Sequence, residues 1–347
     1  MFPVVAAAFL VGLFASYYAY HSLVPPRPKV CGSPGGSPVT APRIKLADGR
    51  HLAYRERGVS RERAKHKVVL VHGFDSSKDM YIPLSQEVMK ELDLYILAFD
   101  RAGYGESDPN PERSVKSEAF DIQELADRLN LGHKFYLMGA SIGTYPVWSC
   151  IKYIPHRLAG VMLIVPVINF WWPSFPPQLV AETYKQQLKR DQWKLWIAHH
   201  TPVFVYWWMT QRLFPYSSIM ERHPILLNER DLKTIQALPK IPDSDEQKIR
   251  QQGVYESLHR DLMIHFGKWE FDPMELKSPF EDARGSVYLW QGHNDKLVPF
   301  EMQRYVAKKL PWIKYHEVPD GGHLMIHEGK LCEAMFRELL LGEEPSF

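Results

Sequence analysis

Lys134-Phe-Tyr-Leu-Met-Gly-Ala-Ser-Ile-Gly-Thr144 is the stretch that decides how this chain reads. Phe135, Tyr136, Leu137 and Met138 make a short apolar run, and Gly139-Ala140-Ser141-Ile142-Gly143 follows it as G-x-S-x-G. The pair reads as a buried strand entering a tight turn with a serine at its apex. A serine that stands proud of a sheet edge needs a strained backbone, and the residues two places either side crowd against it. Only glycine fits easily there, and glycine stands at both 139 and 143. A helix starting just beyond would aim its free N–H groups, and the positive end of its dipole, at Ser141. Two glycines and a serine also recur by chance, so the surrounding pattern decides.

Upstream, Arg43 to Arg55 alternates about an Asp48-Gly49 turn and predicts a hairpin. Lys67–Val71 is an apolar strand ending in His72-Gly73-Phe74; a helix is expected over about 78–91 and a strand over Leu94–Phe99. Asp100 to Asp108 (DRAGYGESD) is a glycine-rich loop. Val115, Ala119, Ile122, Leu125, Ala126 and Leu129 keep helical spacing on one face. After Ser141 a helix should run to about Tyr153, with Pro146 tolerable only near its first turn. Leu158–Val167 is another apolar strand. Strands alternating with helices predict a mostly parallel sheet covered on both faces, an α/β fold. That alternation stops over 168–283 and resumes with the strand Ser286–Gln291, a helix from about Phe300, the strand Lys314–Val318 and a last helix to about Leu341. The organisation expected is therefore a core of 43–167 and 284–347 with a largely helical cap, 168–283, inserted after the sixth strand. Seven of the ten tryptophans fall in the cap. They read chiefly as its own packing core, with some left to line an apolar cleft.

Across 347 residues, 45% are apolar and 24% charged, which is globular and excludes disordered or fibrous chains. Lys plus Arg number 42 against 40 Asp plus Glu, and no basic stripe suggests nucleic acid. Cys31, Cys150 and Cys332 lie far apart, so neither a disulfide framework nor a zinc site is implied. The 19 residues Phe2–Tyr20 carry no charge, about the length needed to cross a hydrocarbon core. The segment 1–23 is expected to be a single-pass membrane anchor, with a cleaved signal as the competing reading. Arg27 and Lys29 follow the run and favour a cytosolic domain on the endoplasmic reticulum or a similar membrane. Residues 24–42, with six prolines and three glycines, read as a linker.

A nucleophilic serine needs a base to take its proton and an acid to orient that base. Two candidates follow strands on the edge where Ser141 sits: Asp295 in Gly292-His-Asn-Asp-Lys-Leu-Val-Pro299, and His323 in Asp320-Gly-Gly-His323. The order serine, acid, histidine is that of one hydrolase fold. Asp320 is the rival acid, poorly placed three residues from His323. Gly73 lets the backbone approach closely, so the Phe74 and Ile142 N–H groups are candidates for an oxyanion hole, each donor being worth about 3 kcal/mol. Asp100 and Arg101 are expected to fix their loop, and His72 to be a hydrogen-bonded structural residue. His323 and His327 have no evident third partner for a metal.

HGF at 72–74, DRAGYGESD at 100–108, GASIG at 139–143, GHNDKLVP at 292–299 and GGH at 321–323 together resemble the capped α/β-hydrolases, and a plant membrane-anchored branch of them, from Arg43 to the C-terminus. The resemblance implies a serine hydrolase of a carboxylic ester, apolar or lipid-like, with Ser141, Asp295 and His323 as its triad and no cofactor or metal. A slow or silent small-ligand receptor and an acyltransferase of the same fold stay open. Serine at 141 sets aside the epoxide hydrolases and dehalogenases, which carry aspartate there.

Overall fold

Residues 2–221, 223–240, 243–280 and 285–345 are described by a computed structural model of the chain. After a helix α1 (Phe2–Leu23), the short strand β1 (Arg43–Lys45) pairs antiparallel with β2 (His51–Gly58), Arg43 opposite Ala53, across the expected turn at Gly49. The core then alternates: β3 (His66–Val71), α2 (Gln86–Glu91), β4 (Leu94–Phe99), α3 (Val115–Arg128), β5 (Phe135–Ala140), α4 (Thr144–Tyr153) and β6 (Leu158–Ile164). The strand order is β1-β2-β4-β3-β5-β6 and then two later strands, all parallel from β4 onward, with β2 antiparallel to β4.

Burial explains the strand sequences. Every residue of β4 is buried, and so are five of the six in β5, which is what helices on both sheet faces demand of a strand. On one face α3 and α4 cover the sheet. Helix α3 buries Val115, Ala119, Ile122, Leu125 and Ala126, and starts from a capping box between Ser114 and Ser117. Pro146 lies in the first turn of α4, where its missing N–H costs no hydrogen bond. The helix expected over 78–91 is shorter than the sequence suggests. Only Gln86–Glu91 is helical, because the chain runs through Pro83 and the helix starts at Ser85, whose Oγ accepts from Val88 N at 3.2 Å.

Between β6 and β7 (Val287–Gly292) lies the segment expected as a cap. It is built of α5 (Pro177–Gln186), α6 (Lys189–His200), α7 (Val205–Thr210), α8 (Glu229–Ala237), α9 (Asp243–Ile249) and α10 (Arg260–Phe266), with short tight turns between them. The boundary expected at 283–284 lies outside the described residues. The core closes with α11 (Phe300–Lys309), β8 (Ile313–Val318) and α12 (Gly329–Leu341).

A fully buried polar cluster ties this segment to the core. Asp261 of α10 takes both guanidinium nitrogens of Arg101, Nη2 at 2.6 Å, and also Arg113 Nη2 at 2.9 Å and Tyr104 Oη at 2.7 Å. Arg113 also pairs with Glu118. Burial alone would raise the Asp261 carboxyl, but Arg101 and Arg113 beside it hold it far below the usual carboxylate range.

The N-terminal stretch differs from expectation in two ways. Among the described residues no helix is long and apolar enough to cross a membrane, so the anchor expected over 1–23 is not supported. The side chains of residues 1–9, 15 and 19, on which much of that expectation rests, lie outside those described. Nor is the linker 24–42 free along its length. Cys31 is buried, Lys29 N donates to Gln252 O and Cys31 N to Gln252 Oε1, both at 3.0 Å, while Thr40 N and Ala41 N donate to Glu106 at 2.8 and 3.0 Å. Prolines and glycines forbid regular elements here, yet several of the backbone groups still find partners.

Replacing Asp261 by Asn should lower unfolding free energy by about 3–5 kcal/mol in urea titration, because the buried Arg101 guanidinium loses its counter-charge and Arg113 keeps only Glu118. A loss under ~1 kcal/mol would mean that the cluster does not hold the cap to the core.

Candidate active site

Strand β5 stops at Ala140 and the chain turns on Ser141, whose φ is +56°. Non-glycine residues seldom adopt that left-handed conformation, and it lifts the serine off the sheet edge. The crowding foreseen at its neighbours is present. A Cβ on Gly139 would stand 2.6 Å from Gly143 O and from Val147 Cγ2, and one on Gly143 would strike His72 O and Val71 O.

The structure brings together the three residues that the sequence singled out. His323 Nε2 lies 2.8 Å from Ser141 Oγ, and His323 Nδ1 lies 2.8 Å from Asp295 Oδ2. Asp295 is itself fixed: its Oδ1 accepts from Leu297 N at 2.8 Å and Val298 N at 3.0 Å, and Gln291 Nε2 donates to Oδ2 at 3.3 Å. The rival acid Asp320 is exposed on the turn after β8, and Nδ1 already faces Asp295. Burial alone would push the His323 imidazole down. The charge of Asp295, its hydrogen bond and the charge of Asp231 outweigh that and hold it above its ordinary value.

Beside the serine, the loop His72-Gly73-Phe74 passes so close that a Cβ on Gly73 would lie 3.3 Å from Ser141 Cβ. Phe74 and Ile142 both line the cavity that Ser141 faces. The Phe74 N–H has no protein acceptor among the described residues. Arg101 builds this loop from behind, its Nε donating to His72 O and its Nη2 to Gly73 O, both at 3.1 Å. Arg101 N donates to His72 Nε2 at 3.1 Å, and His72 Nδ1 lies 2.8 Å from Gly73 O. One ring nitrogen accepts and the other donates, as in a neutral imidazole. Burial, with Arg101 nearby, holds His72 well below its ordinary value in agreement. His72 and Arg101 are thus structural, as expected, and Asp100 receives Lys78 N at 2.7 Å from the segment after β3 and Glu106 N at 3.0 Å within its own loop.

Over the serine lies a partly open cavity walled by Phe74, Val167, Phe170, Leu195, Leu262, Phe266 and Leu297. Gln187, Ser218 and the pair Asp191–Lys194, joined at 2.6 Å, also line it. No tryptophan lines it, which corrects the expectation of tryptophans in the cleft. The indoles pack among themselves and their neighbours instead: Trp172 lies against Phe175 and Trp269, and Trp171 stacks on His199 at 4.3 Å. Stacked and edge-to-face ring pairs both reward such clusters. His327 Nδ1 lies 2.8 Å from Tyr81 O. Among the described residues no group of His, Cys, Asp or Glu is arranged to hold a metal ion.

Sequence reasoning missed Asp231, Asp261 and the Asp191–Lys194 pair. All sit in helices of the irregular segment, where no motif marks an acidic residue as buried. Only an acid at a position facing inward on a helix, such as Asp261 between Leu258 and Leu262, hints at it.

The alpha/beta hydrolase family profile matches residues 68–334, well over half the chain, and the chain belongs to that family. Its fold resembles that of an esterase from Thermogutta terrifontis, 21% identical, with a TM-score of 0.53 over 87% of this chain and 99% of that one. An esterase from Exiguobacterium antarcticum is 13% identical, TM-score 0.56, over 87% and 100%. A hydrolase from Oleispira antarctica is 16% identical, TM-score 0.56, over 84% and 94%. At these identities the likeness concerns the fold. No curated protein is similar enough in sequence to match.

A histidine base acts only when neutral, and His323 is held above its ordinary value. Acylation should therefore rise with pH along a limb centred above about 6.5. A flat single-turnover profile between about pH 5 and 8 would contradict a histidine base. Asp295→Asn should lower kcat by roughly 10⁴ without unfolding the chain, and Asp320→Asn should cost far less. The reverse ranking in steady-state assays would assign the acid role to Asp320.

Proposed function

We propose that this chain is a serine hydrolase that cleaves carboxylic esters through an acyl-serine intermediate. The observation that carries the reading is the continuous line Ser141 Oγ, His323 Nε2, His323 Nδ1 and Asp295 Oδ2, both links 2.8 Å, opening on an apolar cavity. His323 Nε2 takes the serine proton as Oγ attacks the ester carbonyl carbon. The carbonyl oxygen becomes anionic at the Phe74 and Ile142 N–H groups, where fixed dipoles favour developing charge. The C–O bond to the alcohol breaks, and the alcohol leaves with the proton from Nε2. A water activated by the same nitrogen then attacks the acyl carbon, releasing the acid and restoring Ser141. Throughout, Asp295 keeps a proton on Nδ1 and stabilises the transient imidazolium. The aliphatic and phenyl walls support an apolar acyl or alcohol portion, and no cofactor is needed for any step.

A fluorophosphonate probe should label Ser141. Labelling should vanish in Ser141→Ala and fall sharply in His323→Ala, since an unassisted hydroxyl is a poor nucleophile. Undiminished labelling of Ser141→Ala, read by peptide mass spectrometry, would overturn the assignment. On esters of rising chain length the enzyme should run to steady state. A single-turnover burst that stalls would instead support the receptor reading.

A further inference from the structure

The catalytic histidine stands on the loop after β8 and the acid on the loop after β7, and neither residue lies in a helix or strand. They meet directly through Asn294 N, which donates to Gly321 O at 2.9 Å. A second set of contacts comes from outside the core, from the first turn of α8. Asp231 is fully buried, and its Oδ2 accepts from His323 N at 3.2 Å while its Oδ1 accepts from Leu324 N at 2.8 Å. The carboxylate fills the space beside Gly322, where any Cβ would strike it. Asn228 caps α8, its Oδ1 accepting from Asp231 N at 2.7 Å, and its Nδ2 donates to Asn294 O at 3.2 Å, one residue before Asp295. Arg230 reaches past His323 to Glu328, with Nε and Nη2 at 2.8 and 2.7 Å from Oε2. One helical turn thus touches the acid loop, the histidine's own backbone and the turn beyond it.

We propose that α8 is a clasp that assembles the triad, with Asp231 as its positioning residue: the loops of Asp295 and His323 hold their catalytic register only while this helix is seated. The inference rests on the triad reading above. Asp231 touches neither Ser141 nor the imidazole ring. It acts on the backbone from which the imidazole hangs, at the place where a glycine pair would otherwise let that backbone swing. A carboxylate accepting two consecutive N–H groups fixes both peptide planes, and burial makes those bonds costly to break. A ring displaced by about 1 Å loses on the order of 10²-fold in rate, so the clasp bears on catalysis more than on stability. It also gives the segment over the active site a direct hold on the chemistry beneath it. A substrate that lifts α8 would disarm His323, and one that seats it would arm it.

The groups that face the His323 imidazole are Asp295 from the acid loop, Asp231 from α8, and His327 from the turn before α12. The negative charge of Asp231 therefore supplies a readout that packing alone would not move. Asp231→Asn keeps the shape and removes the charge and one acceptor. It should lower kcat on a short-chain ester by about 10- to 100-fold with KM unchanged, slow fluorophosphonate labelling by the same factor, and shift the acid limb of the rate profile to lower pH. Lys233→Ala, on the exposed side of the same helix, should match wild type in all three. Asp231→Asn with wild-type kcat and an unmoved limb would overturn the clasp. Should that variant fail to fold, Asn228→Ser decides. It keeps a capping oxygen but loses the donor to Asn294 O, so kcat should fall with KM unchanged, and an unchanged kcat would overturn the proposal. A wild-type enzyme that the probe does not label would refute the triad itself, whereas equal labelling of wild type and Asp231→Asn would refute the clasp alone.

Discussion

Ser141 is held at φ +56°, a backbone state that costs a non-glycine residue roughly 1–3 kcal/mol and persists only where its surroundings over-determine it. Much of the site follows from that single constraint. The turn is so tight that residues 139 and 143 have no room for a side chain. The same tightness sets Gly143 against His72 O and brings the loop 72–74 within van der Waals contact of the serine. The Oγ is thereby placed where the β7 and β8 loops can bring His323 to 2.8 Å. The sheet supplies the rigidity: β5 lies between β3 and β6, and the residues that pack it are buried. A strained turn on an edge strand would relax; in the middle of a parallel sheet it has nowhere to go.

Charge is spent behind the site more than in it. Arg101 and Asp261 form a buried pair, and Arg101 turns its guanidinium to the backbone of the loop 72–74 and to Asp261. Asp231 does the corresponding service for the histidine loop. In both cases an acid from the segment above the sheet reaches down to a core loop. Such buried ions add little net stability compared with apolar packing, but removing one partner is costly, which makes them good at fixing one arrangement. The cavity that results has mostly apolar walls, and of its charged lining residues Asp191 and Lys194 satisfy each other.

Much of the core and the three aligned residues was legible in the sequence, and the reason is geometric. Strands covered on both faces must be apolar throughout, so β4 and β5 announce themselves. The serine turn demands glycines at fixed offsets, and the loops of Asp295 and His323 follow strands whose apolar runs are equally plain. What resisted reading was governed by contacts distant in sequence. Asp231 gains its meaning from a glycine 91 positions away, at 322, and Asp261 from an arginine at 101. The tryptophans misled because a large indole is as often a packing unit as a lining one, and here they pack against each other. The stretch 24–42 misled because its composition speaks to regular structure, and its attachment through Gln252 and Glu106 depends on single hydrogen bonds that composition does not record.

The proposed mechanism requires every ester to pass through one acyl-Ser141 intermediate. Added methanol tests it directly, because a shared intermediate has no memory of the alcohol that left. For a series of esters with one acyl group and different leaving alcohols, hydrolysed at a fixed methanol concentration, the ratio of methyl ester to free acid should be the same throughout. A ratio that changes with the leaving alcohol would show water attacking the ester itself, and would contradict the acyl-serine mechanism.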